Sequence, residues 1–388
     1  MSVELGQGTG PLRGVRVVEL AGIGPGPHAC MILADLGADV IRIDRPGGQP
    51  LTGGAHDLLN RGRPSVALDL KHPDGVATVL DLVERADVLV EGLRPGTTER
   101  LGLGPDDCLA RNPRLVYGRM TGWGQDGPLA RTAGHDLGYI AITGALFGLG
   151  QDRRRPHFPT NLVGDFGGGS TYLVVGILAA LLESRLSGQG QVVDAAIVDG
   201  TAHLNAMATG FLAGGLLVEE RAANLLDGGA PYYDLYETAD RRHLAVGALE
   251  PQFYDELVAG LGIADVVPDR DDPAHHDELR RVIGDAVRSR TQAEWVAVFD
   301  GTDACVAPVL PMTEAFSHPH LVARSTFVER DGTTQPAPAP RFSRTAPSLT
   351  SPPPAEPGQD TRAALAAWGI ADVEGLLASG AAVQAGGA

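Results

Sequence analysis

Three titratable side chains stand out by their surroundings. His135 lies in "TAGHDLGYIAITGAL", between Gly134 and Asp136. An imidazole there could take up or release a proton near neutral pH, and it could equally pair with the aspartate beside it. Asp165 sits in "NLVGDFGGGS", among Gly164, Gly167, Gly168 and Gly169. Glycines that open a helix let a ligand approach the backbone and leave N–H groups unpaired. Aspartate is also a preferred N-cap, which is the plainer reading. Glu250, in "VGALEPQFY", stands immediately before Pro251, where negative charge suits the start of a helix. Taken singly, each residue admits a structural role as readily as a chemical one.

Basic residues form the second group. Arg45, Arg61, Arg63, Lys71, Arg94 and Arg100 all fall at or just after expected strand ends. Ligands of open α/β sheets bind outside those ends, and guanidinium groups grip phosphate in bidentate fashion. Several such cations in one region point to a multiply phosphorylated ligand, with solvated surface arginines as the bland reading. A dinucleotide is the obvious rival, because Gly24, Gly26 and Ala29 satisfy G-x-G-x-x-A after a strand and Asp44 ends the next one. Pro25 and Pro27, however, lack the N–H groups that such a loop aims at a pyrophosphate. Arg42 and Arg45 beside Asp44 suit phosphate better than a bare ribose. A tight strand-to-helix turn is the better account of these glycines.

The elements that must hold these residues read as an α/β protein. "VRVVEL" (15–20), the Gly-Pro loop and "CMILADLGADVIRID" give strand, loop, helix and strand, one βαβ unit. "SVALDL" (65–70), "HPDGVATVLDLVERA" (72–86), "DVLVEG" (87–92) and "RLVYGRM" (114–120) continue the rhythm, so a doubly wound parallel sheet is expected. A helix is expected over 169–186 with Gly188–Gly190 as its stop, followed by a strand-to-helix passage from Gln191. Near residue 224 the texture changes to a hairpin turning at Ala239–Arg241, a helix from Pro251, two amphipathic helices and a closing strand. Residues 334–357 are Pro-rich and read as extended, with a further helix in "TRAALAAWGI". The expected domains are 1–223, a large α/β domain with a linker helix, 224–330, a smaller α+β domain, and 331–388, a C-terminal segment returning to the large one.

Composition sets the outer limits. With 388 residues, 43 % hydrophobic and 20 % charged, the chain suits a folded protein of two domains. A net charge of −17 argues against nucleic acid as a partner, since phosphate contacts need clustered positive charge. Cys30, Cys108 and Cys305 match neither a disulfide framework nor a zinc spacing. The N-terminal stretch is polar and Gly-rich, and the apolar run Tyr172–Leu182 is too short to span a bilayer. A soluble protein in the reducing cytoplasm, not inserted in a membrane, is the expectation.

Longer motifs add a resemblance. "PLRGVRVVELAGIGPGPHACMILADLGADVIRIDRP", "RMTGWGQDGP", "GHDLGY", "NLVGDFGGGS" and "APRFSR" together resemble the family III CoA-transferase superfamily, and within it the α-methylacyl-CoA racemases. The resemblance runs from about residue 11 to about residue 350 and is most specific from Gly134 to Ser170. It implies an interlocked homodimer with a large Rossmann-like domain and a smaller one. It also implies an acyl-CoA substrate whose CoA is part of the thioester, and no metal or separate cofactor. By position in the matching motifs, CoA contacts fall on Arg45, on Leu68, Asp69, Leu70 and Lys71, on Gly92, Leu93 and Arg94, and on Arg100. Contacts near the thioester fall on Gly134, Asp136, Leu137, Gly138 and Tyr139. The catalytic residues implied are His135 and Asp165 from one subunit and Glu250 from the other. The tail after residue 350 lies outside the match.

The chemistry implied is racemisation of 2-methylacyl-CoA thioesters through an enolate. A hydrogen α to a thioester is far less acidic than any side chain, so its removal needs a positioned base and stabilisation of the developing oxyanion. Inversion needs one group on each face, and His135 and Asp165 would supply that pair, serving the S- and R-epimers respectively by the family comparison. Asp165 would need burial to hold its proton, and Glu250 would orient His135. The alternative is a family III CoA-transferase, in which an aspartate at the position of Asp165 attacks the acyl-CoA to form an anhydride and then an enzyme–CoA thioester. A histidine in "GHD" favours the racemase. A non-catalytic acyl-CoA-binding protein would need none of the three residues.

Overall fold

The computed structural model describes residues 3–49 and 54–386. The chain divides into two compact units, one of Met1–Thr143, Pro159–Leu204 and His320–Ala388, the other of Gly144–Phe158 and Asn205–Pro319. These divisions differ from the boundaries at 223 and 330 read from sequence.

The first unit is built on a seven-stranded sheet. Six strands are parallel: β1 (Arg16–Leu20), β2 (Asp39–Asp44), β3 (Ser65–Leu68), β4 (Val88–Glu91), β5 (Val116–Thr121) and β6 (Gln191–Ala196). The seventh, β12 (Ala382–Val383), pairs antiparallel with the outer edge of β3. The spatial order is β12-β3-β2-β1-β4-β5-β6, so the winding reverses between β1 and β4. Loops after those two strands diverge and leave a crevice at their C-terminal ends.

Alternation along each strand explains why both faces are dry. Val17, Val88, Val90 and Val116 point to one face and pack with α1 (Pro25–Asp35) and α5 (Thr171–Ser187). Val18, Leu89 and Tyr117 point to the other and pack with α2 (Pro73–Val83) and α10 (Thr361–Ala367). Helices on both faces are the arrangement that parallel strands require. A short antiparallel hairpin, β10 (Phe327–Arg330) and β11 (Thr333–Pro336), also belongs to this unit. Its second strand falls at the start of the stretch read from sequence only as extended.

The helix expected over 169–186 is longer than foreseen. A π-helical turn, Leu162–Ser170, leads directly into α5, which ends at Gly188 in the left-handed conformation. The continuous run Leu162–Ser187 has 26 residues and a mean hydropathy of 1.5, so by length and composition alone it could cross a membrane. Leu173, Ile177, Ala180 and Leu181 are instead buried against the sheet, which makes it a core helix.

The second unit carries a three-stranded antiparallel sheet, β7 (Tyr233–Glu237), β8 (His243–Gly247) and β9 (Val306–Pro308). Tyr236, Leu244 and Val246 pack with α7 (Pro251–Leu261), α8 (His276–Val287) and α9 (Gln292–Phe299) in one core.

Candidate active site

A solvent-open cleft of about 510 Å³ lies at the C-terminal ends of β1, β4 and β5. Its walls include Gly24, Arg94, Trp123, His135, Asn161 and Asp165. His135 and Asp165, 30 residues apart in sequence, are therefore brought to one cavity within the first unit.

His135 is exposed and is the N-cap of α4 (Asp136–Ile142); its side chain makes no capping bond, and its carbonyl accepts from the N–H of Gly138 at 2.8 Å. The imidazole is thus free to face the cleft. Asp165 lies inside the π-helical turn, so the N-cap reading does not hold. Its Oδ2 accepts from Asn161 Nδ2 at 3.2 Å, one turn earlier. Gly24, with φ of 69°, comes so close that a Cβ there would sit 3.4 Å from the same Oδ2. Burial pushes the Asp165 carboxyl above the ordinary carboxylate range. The hydrogen bond from Asn161 opposes this, the negative charge of Asp136 adds to it, and His135 opposes it.

The glycines around Asp165 serve packing rather than ligand approach. A Cβ at Gly164 would meet Asp136 Oδ1 at 2.3 Å, and one at Gly168 would meet Thr201 Oγ1 at 2.5 Å, where the turn crosses α6 (Ile197–Leu204). They let the turn lie directly on its neighbours. Tyr139, 8 % exposed, packs edge-on against Trp123 with ring centroids 4.7 Å apart and closes the floor of the cleft. Asn161, Gly24 and Trp123 escaped the sequence reading of the site. The spacing of Asn161 one turn before Asp165 was the available signal.

The basic residues split into two groups. Arg94 lines the cleft, and Arg45, Lys71 and Arg94 are exposed with no ion pair among the described residues. Arg100 is exposed and donates to Thr97 Oγ1 at 3.0 Å. Glu91, at the end of β4, accepts from the N–H of Leu93 at 2.7 Å and pairs with Arg119 at 2.9 Å, which fixes the Gly92–Arg94 loop. Arg61 and Arg63 are not part of any phosphate cluster. Arg61 pairs with Asp35 and donates to the Pro336 carbonyl at 2.9 Å. Arg63 pairs with Glu19 at 2.9 Å and is 1 % exposed. Arg42, the cross-strand partner of Glu19, is buried against Glu19 and Asp44, so it does not face a phosphate either. Asp44 is further engaged by Ser65, whose hydroxyl donates to it at 2.6 Å, so both of its carboxylate oxygens already hold a protein partner.

Of the remaining contacts expected from the motifs, the Leu68 side chain is 1 % exposed in the core, and its main chain pairs with β12. That leaves Asp69, Leu70 and Lys71 as the accessible part of the segment. Asp136 is 7 % exposed and turned toward the main chain of Asp165, whose N–H donates to its Oδ1 at 2.7 Å. Leu137 is exposed, and Gly138 half-buried. Glu250 belongs to the second unit, where it is exposed at the N-cap of α7 without a capping side-chain bond. Arg270 holds the strand end before it, donating to the Leu249 carbonyl at 2.8 Å while lying 4.6 Å from the rings of both Tyr232 and Tyr254. Among the described residues no group of three or more His, Cys, Asp or Glu side chains could hold a metal ion.

A crevice with Arg94, unpaired among the described residues, in its wall and an imidazole and a half-buried carboxyl inside fits an anionic carrier bearing a reactive acyl group. Comparison with known proteins agrees. The sequence profile of CoA-transferase family III matches residues 12–361. The chain belongs to that family. Among members of CoA-transferase family III, it is 46 % identical over 336 residues to the α-methylacyl-CoA racemase of Mus musculus, covering 86 % of this chain and 87 % of the mouse protein. It is 44 % identical over 333 residues to the α-methylacyl-CoA racemase of Homo sapiens, covering 84 % and 86 %. Among solved structures it is similar to a CAIB/BAIF family protein from Brucella suis, with a TM-score of 0.79, 26 % identity, and coverage of 92 % of this chain and 99 % of that one.

Proposed function

We propose that this protein is an α-methylacyl-CoA racemase, equilibrating the epimers of 2-methylacyl-CoA thioesters by a two-base 1,1-proton transfer. The observation that carries the reading is that His135 and Asp165 share one cleft in a chain 44 % and 46 % identical to two racemases. One group removes the α-proton as the neutral imidazole or carboxylate. The other delivers a proton to the opposite face, after which each group is left in its partner's starting state. Burial of Asp165 supports its role as the acid, since a carboxyl must hold its proton to give it. We assign the enolate oxygen to the main-chain N–H groups of Gly134–Asp136, and the CoA phosphates to Arg45, Lys71, Arg94 and Arg100. No metal or cofactor enters this scheme; the CoA belongs to the substrate.

The reading includes a homodimer in which Glu250 of the second copy orients His135. Supporting it, the outer face of α5 presents Val175, Leu182 and Leu186, which are 59 %, 63 % and 82 % exposed. An apolar stripe of that kind on a core helix suits an interface between copies. The three cysteines are free, which supports the reducing cytoplasm as the compartment.

The test is incubation with each pure 2-methylacyl-CoA epimer in deuterated water. Deuterium should enter the α-position and both epimers should appear, without added metal or nucleotide. Acyl transfer to a free carboxylate with no α-deuterium would establish the transferase in its place.

A further inference from the structure

We propose that Asp136 is a positioning residue for this proton transfer, its buried carboxylate holding the main chain of Asp165 against the segment that carries His135. The inference rests on the two-base reading and assigns a role to a side chain that does not touch the reacting atoms. Asp136 follows His135 directly and begins α4. Its Oδ1 accepts from the Asp165 N–H at 2.7 Å, across 29 residues of sequence. The opposing residue is Gly164, and any Cβ there would sit 2.3 Å from that oxygen, so the contact is possible only because Gly164 has no side chain. A single carboxylate thus fixes the separation of the two proton carriers.

The second oxygen gives the residue an electrostatic role. Asp136 Oδ2 is buried and makes no hydrogen bond among the described residues. A carboxylate with an unpartnered oxygen keeps its field for its neighbours, and Asp165, whose main chain it holds, is one on which it acts. The surroundings of Asp165 contain few competing charges. From the α4 segment come His135, Asp136 and the Tyr139 hydroxyl, itself raised by burial and by Asp165. Its own turn supplies Asn161. From α1, His28 packs tilted against Phe166 with centroids 4.4 Å apart and shares a 2.6 Å hydrogen bond with Ser170. From α6, His203 shares a 2.6 Å hydrogen bond with the Tyr172 hydroxyl, and Asp199 acts on Asp194. Among the described residues, Asp136 is the negative charge that raises Asp165.

Asp136→Asn and Asp136→Ala separate the two roles. Asn keeps an oxygen for the Asp165 N–H and removes the charge. It should preserve thermal stability and CoA affinity while moving the Asp165 limb of the pH profile of deuterium wash-in to lower pH. Ala removes the anchor as well and should lower wash-in from both epimers about 10²-fold, the cost of misplacing reacting groups by about 1 Å, with little change in KM. Carboxyl ¹³C NMR, with Asp165→Asn providing the assignment, follows Asp165 directly and should show the same downward shift in Asp136→Asn. An unmoved Asp165 titration in Asp136→Asn, or an Ala variant whose rate loss is accounted for by its unfolded fraction, would overturn the proposal. If the wild-type protein shows no wash-in, the racemase reading fails, yet the NMR titration still decides whether Asp136 governs Asp165.

Discussion

At the scale of single residues the chemistry turns on two groups that must exchange protonation states. General acid–base groups contribute about 10²–10⁴-fold, so His135→Ala and Asp165→Ala should each cut complete racemisation by at least that range. Wash-in should be lost first from one epimer in the first variant and from the other epimer in the second. Equal loss from both epimers in both variants would indicate a single base and a mobile substrate. Asn161 offers an independent handle. Its N–H donates to the carboxylate and favours the charged form, so Asn161→Ala should push the Asp165 limb to higher pH, opposite to Asp136→Asn. The raised carboxyl also carries a stability sign. Its contribution to folding is fully present below the ordinary carboxylate range and is lost as pH rises through the raised value.

At the scale of elements, ligand binding depends on loops held by strand ends. The Gly92–Arg94 loop is clamped by Glu91, which Arg119 neutralises. Nucleotide contacts far from the reacting carbon are largely uniform binding. Arg94→Ala should therefore raise KM for acyl-CoA and weaken CoA binding more than it lowers kcat, as steady-state kinetics with CoA titration would show. A pure loss of kcat would place Arg94 elsewhere. Strands and loops of this kind were legible in the sequence, because apolar runs such as "DVLVEG" end where the pattern breaks. The π-helical turn around Asp165 was not. Its glycines look like a helix opening, and nothing local reveals that Gly164 and Gly168 face Asp136 and Thr201 from other elements.

At the scale of the molecule, a buried ionic knot sits under the crevice. Glu19 on the central strand is paired with both Arg42 and Arg63, all three being less than 9 % exposed. Removing one partner from such a group leaves an uncompensated buried charge and costs about 3–5 kcal/mol. Arg63→Ala should lower unfolding stability by about that amount in urea denaturation, while the folded fraction keeps its CoA affinity. Lost affinity at unchanged stability would return Arg63 to the ligand. The sequence alone could not sort these arginines. Arg63 and Arg94 both follow strand or loop signals, and only the tertiary register that brings Glu19 to Arg63 tells them apart.

The sheet is completed by the far end of the chain. β12 covers the outer edge of β3, Thr361 Oγ1 accepts from the Ala67 N–H at 3.0 Å and donates to the Val383 carbonyl at 2.7 Å, and Leu365 and Trp368 fill the core beneath. On the ribosome this imposes an order of events. Synthesis proceeds from the N-terminus, so β3 emerges some 300 residues before its neighbour, with an open edge and an uncovered apolar face. The second unit, mostly one continuous stretch over Asn205–Pro319, is available to fold within that interval. The first unit therefore cannot close the outer edge of β3 until Ala382 and Val383 are available to pair with it.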